Sequence, residues 1–106
     1  MMKKYTLYVG LNDKDSKIQK VSTLEAYKLI NNLLMKYFDG ATIYDAIGIY
    51  KHDNGEFVTE NTLRIEILEF DNPIIDAVKK VVGIIKDLLN QESIAVQIEN
   101  VQSDLW

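Results

Sequence analysis

The hydrophobic period of this chain switches between two and 3.6 in a set order, and that order limits the fold more than any other feature. Residues 4–11 alternate. Tyr5, Leu7, Val9 and Leu11 point one way, and Thr6, Tyr8 and Gly10 the other, as a half-buried strand requires. A polar loop, 12–20, follows. Ser22-Thr23-Leu24-Glu25 then forms a capping box, in which Ser22 accepts from a free helix N–H and Glu25 reaches back to the backbone of Ser22. Leu24, Tyr27, Ile30, Leu34 and Tyr37 or Phe38 recur at helical spacing, and Asp39-Gly40 is expected to end the helix with a left-handed glycine cap.

Period two returns over residues 41–51. Ile43, Ile47 and Ile49 share one face; Tyr44, Ala46, Gly48 and Tyr50 share the other. Asp53-Asn54-Gly55 is a turn, because Asn-Gly tolerates positive φ. Residues 56–60 continue the hairpin, and residues 62–69 form a third strand with Leu63, Ile65 and Ile67 inward. Asn72 is the expected cap of a second helix, with Pro73 in its first turn. That helix carries Ile75, Val78, Val82, Ile85 and Leu89. A second stripe of Ile74, Val81, Ile84 and Leu88 makes its apolar face wider than one sheet contact needs. Ile94, Val96 and Ile98 make the last strand. The order βαββαβ implies an α+β, ferredoxin-like domain, with a four-stranded antiparallel sheet and two helices on one face.

The chain has 106 residues, enough for a single domain over 1–106 with a C-terminal tail at 100–106. Hydrophobic residues make up 47% and charged residues 26%, which argues against disorder and against membrane burial. Met1-Met2-Lys3-Lys4 begins like a secretory leader, but Tyr5–Leu11 is too short and interrupted for its apolar core. The absence of cysteine rules out disulfides, thiolate chemistry and cysteine-held metal, and fits a cytoplasmic location. With a net charge of −4 and one arginine, direct nucleic-acid binding is not expected.

Several segments resemble a known family. Leu7-Tyr8-Val9-Gly10-Leu11 resembles the opening of the bacterial family catalogued as domain of unknown function 3574. Residues 38–50, from Phe38-Asp39-Gly40 to Gly48-Ile49-Tyr50, are similar to its central motif, where an Asp-Gly precedes a Thr, an Asp and then Gly-Gln-Trp. Gly48-Ile49-Tyr50 stands in place of that last triplet. Gly55, Glu60 and Asn90-Gln91-Glu92-Ser93-Ile94 also fit, and the resemblance spans residues 7–98. It implies a ferredoxin-like fold and carries no assigned activity.

Chemistry is best sought on the sheet face that the helices leave uncovered. Tyr8, Tyr44, Tyr50, Arg64 and Glu66 fall there and are the candidate ligand-binding residues, with Gln97 and Glu99 beside them. Tyrosines could stack on a flat ring, and Arg64 could fork onto a carboxylate or phosphate. The same face, with the over-wide second helix, could instead join subunits, since such compositions mark interfaces. His52 sits beside the hairpin turn, where a lone histidine is ordinarily solvated. Asp45 interrupts the apolar face of the second strand and Glu60 closes the hairpin; an inward carboxylate could be a shifted acid or base, but the bland reading of Asp45 is a strand-end or bulge acceptor of backbone hydrogen bonds. No catalytic residues, cofactor or metal are expected, because no nucleophile, phosphate-loop, dinucleotide or metal-ligand motif is present. The favoured reading is a small non-enzymatic homo-oligomer that holds an anionic, aromatic or nucleotide ligand, or a protein partner. The alternatives are a phage or mobile-element inhibitor that sequesters a nucleotide signal or blocks a host defence protein, and a dimeric α/β-barrel-type enzyme.

Overall fold

The structure is a computed structural model and describes residues 2–106. Its elements are β1 (Met2–Gly10), α1 (Thr23–Tyr37), β2 (Thr42–Lys51), β3 (Phe57–Leu68), α2 (Ile75–Leu88) and β4 (Ala95–Val101). The strands form one sheet in the order β2-β3-β1-β4, and every neighbouring pair is antiparallel. This is the ferredoxin-like arrangement, with the first and third strands central.

The alternation places Tyr5, Leu7, Val9, Leu63, Ile65 and Ile67 on one face, all essentially inaccessible. They form one core with Ala26, Ile30, Leu33 and Leu34 of α1 and Val78, Val81 and Ile85 of α2. Each buried branched side chain contributes about 1.5–3 kcal/mol, so this shared face accounts for most of what holds the layers together. The wide stripe of α2 divides. Val78, Val81 and Ile85 go into the core, Ile74, Ile75, Val82 and Ile84 pack partly against it, and Leu88 remains half-exposed.

Ser22 caps α1 as its sequence predicts, accepting the Glu25 N–H at 3.1 Å. Two other expected helix ends differ. No left-handed glycine closes α1. The chain leaves the helix at Phe38 (φ −135°, ψ 150°), whose N–H still donates to the Leu34 carbonyl. The partly buried Phe38 ring packs on the core, so tertiary contact sets the exit and Gly40 is not needed. Asn72 and Pro73 lie in an exposed connection, and α2 begins at Ile75 without a side-chain cap from Ile74. Glu69, at the end of β3, does the capping instead. Its Oε2 accepts the Ile74 N–H at 3.2 Å and the Tyr5 hydroxyl at 3.3 Å. Burial pushes the Tyr5 phenol above its ordinary pKa, and the Glu69 charge adds to the effect.

Beyond Ala46 and Thr62, β2 and β3 continue as a hairpin arm that outreaches the helices. Ile43 is half-buried, whereas Ile47 and Ile49, on the same face of β2, are more than 60% exposed. The arm closes through Gly55 at φ 89°, a conformation that favours glycine, while Asn54 Oδ1 accepts the Glu56 N–H at 2.9 Å.

Candidate functional site

The uncovered sheet face carries two different clusters. The first lies over its centre. Arg64, on β3, stands opposite Tyr44 of β2 and Tyr8 of β1. Its guanidinium lies 5.2 Å from the Tyr44 ring centroid and 5.9 Å from that of Tyr8. It also pairs with Glu66, two residues along the same strand and hence on the same face. Glu66 accepts the Tyr44 hydroxyl at 3.1 Å and has Lys4 at 3.7 Å. The Tyr8 hydroxyl reaches Gln97 at 3.4 Å. Four of the five expected ligand-binding residues therefore meet in one place, largely satisfying one another. Beneath them the Thr6 hydroxyl is buried without a protein partner, as is the Arg64 Nε.

The second cluster occupies the loop end of the same face, in a cleft of about 590 Å3. Its walls are the arm (Tyr50, His52, Val58), the segment after β1 (Asn12, Lys14, Lys17) and the segment before β4 (Gln91, Glu92, Ser93). Tyr8 and Gly10 form the side towards the sheet centre. Glu60 lies among these, half-buried, its Oε2 accepting the Asn12 N–H at 3.0 Å. The carboxylate occupies the space above Gly10 where a side chain on that residue would be, so glycine there permits the close approach. Tyr50, the fifth expected residue, belongs to this cluster. Burial raises its phenol pKa, and the nearby Glu60 charge raises it further. The His52 ring sits edge-on to Tyr50, 5.3 Å between centroids, rather than loose at the hairpin tip.

A clasp holds the two loop walls together. Asp13 is buried, and its Oδ2 accepts the N–H groups of Asp15 and Ser16 and the Ser16 hydroxyl. Its Oδ1 accepts from the Asn90 side chain at 2.8 Å. The Lys14 N–H donates to the Asn90 carbonyl, and Gln91 donates to the Asn12 carbonyl at 2.6 Å. The hydrogen bond from the Ser16 backbone, then that from Asn90, holds the Asp13 carboxyl far below the usual range against its burial. Asp45 is exposed on the helix-side face of β2 and joins neither cluster.

Sequence reasoning placed Tyr8 and Tyr50 on the open face but did not bring Glu60, Gly10 and Asn12 together with them. Their association depends on the β1–β3 register, in which Gly10 pairs with Thr62 and the chain beyond it runs past Glu60. The Arg64–Glu66 pairing was accessible, because residues two apart on a strand share a face.

Among the described residues, no group of three or more His, Asp or Glu could hold a metal ion, and no helix is long and apolar enough to cross a membrane. A family model described as "Protein of unknown function (DUF3574)" matches residues 4–104. No curated protein matches the chain. Among solved structures, the chain is similar to a phage SAM lyase in complex with S-methyl-5'-thioadenosine, at TM-score 0.66 and 19% identity. That match covers 92% of this chain and 80% of the other. The same lyase in its apo state gives TM-score 0.65 and 20% identity over 92% of this chain and 78% of the other. The de novo designed protein Foldit4 gives TM-score 0.59 and 12% identity, over 96% of this chain and 100% of the other. At these identities the likeness concerns the fold.

Proposed function

The chain belongs to the DUF3574 family, and on that premise we propose that the loop-end cleft binds a small cationic nucleoside sulfonium, with S-adenosylmethionine as the test ligand. The observation that carries this reading is the Glu60 carboxylate. It is anchored by the Asn12 N–H above Gly10 and lies beside Tyr50 in a cleft of ligand size. A sulfonium centre offers no hydrogen-bond donor, so it is recognised by charge and by aromatic faces. A carboxylate with tyrosines supplies both. Tyr8 offers a surface for a flat base, and the Lys14 and Lys17 ammonium groups at the rim suit the carboxylate of an amino-acid moiety. Tyr44, Arg64 and Glu66 stand beside Tyr8 in the neighbouring cluster, pair with one another and lie outside the cleft. The fold shared with the phage lyase supports this choice of ligand.

The juxtaposition of Glu60 and Tyr50 favours a second reading, cleavage of the bound sulfonium. Breaking its carbon–sulfur bond returns the bond pair to sulfur and leaves a neutral thioether. The other fragment then loses one proton, to Glu60 or through it to water. A protein that only binds the ligand would sequester it, in keeping with an inhibitor role.

Calorimetric titration of the wild type and Glu60→Gln with S-adenosylmethionine and with neutral S-methyl-5'-thioadenosine tests the reading. The wild type binds both. Glu60→Gln weakens the cationic ligand by about tenfold or more, as loss of one charge-assisted contact of ~1.5 kcal/mol or more requires, and the neutral one by much less. Equal binding of the cation by both proteins would overturn the assignment. Chromatography of the same mixtures then decides between cleavage and sequestration by whether thioether accumulates.

A further inference from the structure

Two surfaces of this chain expose large apolar side chains and lie at opposite corners of the molecule. One is the back of the hairpin arm, where Ile47, Ile49 and Phe57 are 62%, 68% and 70% exposed. The other is the segment after β4, where Leu105 is 83% exposed and Trp106 fully so. Exposed apolar surface gathered in this way marks association rather than ordinary surface composition.

The sheet register separates them. β4 leaves the sheet at Val101, which pairs with Met2 at the start of β1. The arm rises from the other end of β1, where Gly10 meets Thr62, and on the opposite edge of the sheet. The molecule is 45 Å long, whereas five residues extend at most about 18 Å. Residues 102–106 therefore cannot cover the arm of their own chain.

We propose that residues 102–106 of one copy dock on the back of the β2–β3 arm of a second copy, joining chains head to tail. The charges agree with this occupant. Lys51 stands 5.6 Å from the Phe57 ring centroid on the arm, and Asp104 precedes the two apolar residues of the docking segment. An arm-to-arm dimer would instead bring Lys51 near its own copy and leave Trp106 in water. Trp and Phe each bury on the order of 150–250 Å2, and with the two isoleucines and Leu105 the junction approaches the roughly 1,000 Å2 of a specific contact. Such a contact is heterologous, so an open assembly keeps one free arm at one end and one free segment at the other until a ring closes. The contact lies on the reverse of the arm from the cleft and does not depend on what the cleft binds.

Native mass spectrometry with sedimentation velocity tests the proposal on three proteins: the wild type, the double variant Leu105→Ser/Trp106→Ser, and the arm variant Ile49→Lys. All the changed positions are exposed, and circular dichroism checks that each variant folds. The wild type is expected to be oligomeric at tens of micromolar and each variant monomeric. An equimolar mixture of the two variants is expected to give a one-to-one heterodimer, because one intact arm meets one intact segment. A monomeric wild type overturns the proposal. So does a segment variant that keeps the wild-type mass, which would assign association to the arm alone, the open sheet face or α2.

Discussion

The centre and the loop end of the open sheet face use similar residues to opposite effect. At the centre, Arg64 has its carboxylate on the same strand, its rings on both neighbouring strands, and Lys4 balancing the remainder. At the loop end, Glu60 has one backbone donor and no cation within ion-pair distance among the described residues. The difference shows that side-chain type does not identify a site. A charged group whose partners are supplied by the fold is structural. One held in place but left uncompensated can meet a ligand.

The sharpest way to break this comparison is Gly10→Val. Its side chain would displace the Glu60 carboxylate, and binding in the cleft should fall about a hundredfold, the ~3 kcal/mol of a lost charge-assisted contact. Calorimetry reads the loss, while a melting temperature within a few degrees of the wild type shows that the fold survives. Arg64→Leu should do the converse. It removes a partner of Glu66 and should cost about 1–2 kcal/mol of stability in urea unfolding, moderated by the partial exposure of the pair, while changing ligand affinity by less than about threefold.

A smaller effect concerns the clasp that holds the cleft walls. The Asp13 carboxyl is depressed in the folded state, so its stabilisation is fully present above the unfolded value near 4 and is lost as pH falls below it. Unfolding midpoints between pH 6 and 3 should decline more steeply for the wild type than for Asp13→Asn. Parallel declines would mean that the clasp contributes little.

Much of the fold could be read from the chain, because period two and period 3.6 report directly on burial against a single core. The register also followed in outline from alternation, which placed Tyr8, Tyr44, Tyr50, Arg64 and Glu66 on one face. Helix ends were less legible. Phe38 and Ile74 take their positions from core packing and from Glu69, so Gly40 and Asn72-Pro73 were misleading local signals. The site was only partly legible. Arg64 looked like the free cation, although Glu66 stood two residues away. Glu60 looked like a hairpin-closing acid because its setting over Gly10 and beneath Asn12 arises only when distant segments pair. The exposure of Ile47 and Ile49 was hidden for a similar reason, since alternation gives a face but not how far the helices extend over it.

The most direct test of the central claim is to follow backbone amide chemical shifts by NMR while titrating S-methyl-5'-thioadenosine. Saturable changes are expected at Gly10, Asn12, Tyr50, His52 and Glu60, with Thr6, Arg64 and Glu66 nearly still. Changes centred on Arg64 and Glu66, or none at millimolar ligand, would contradict it.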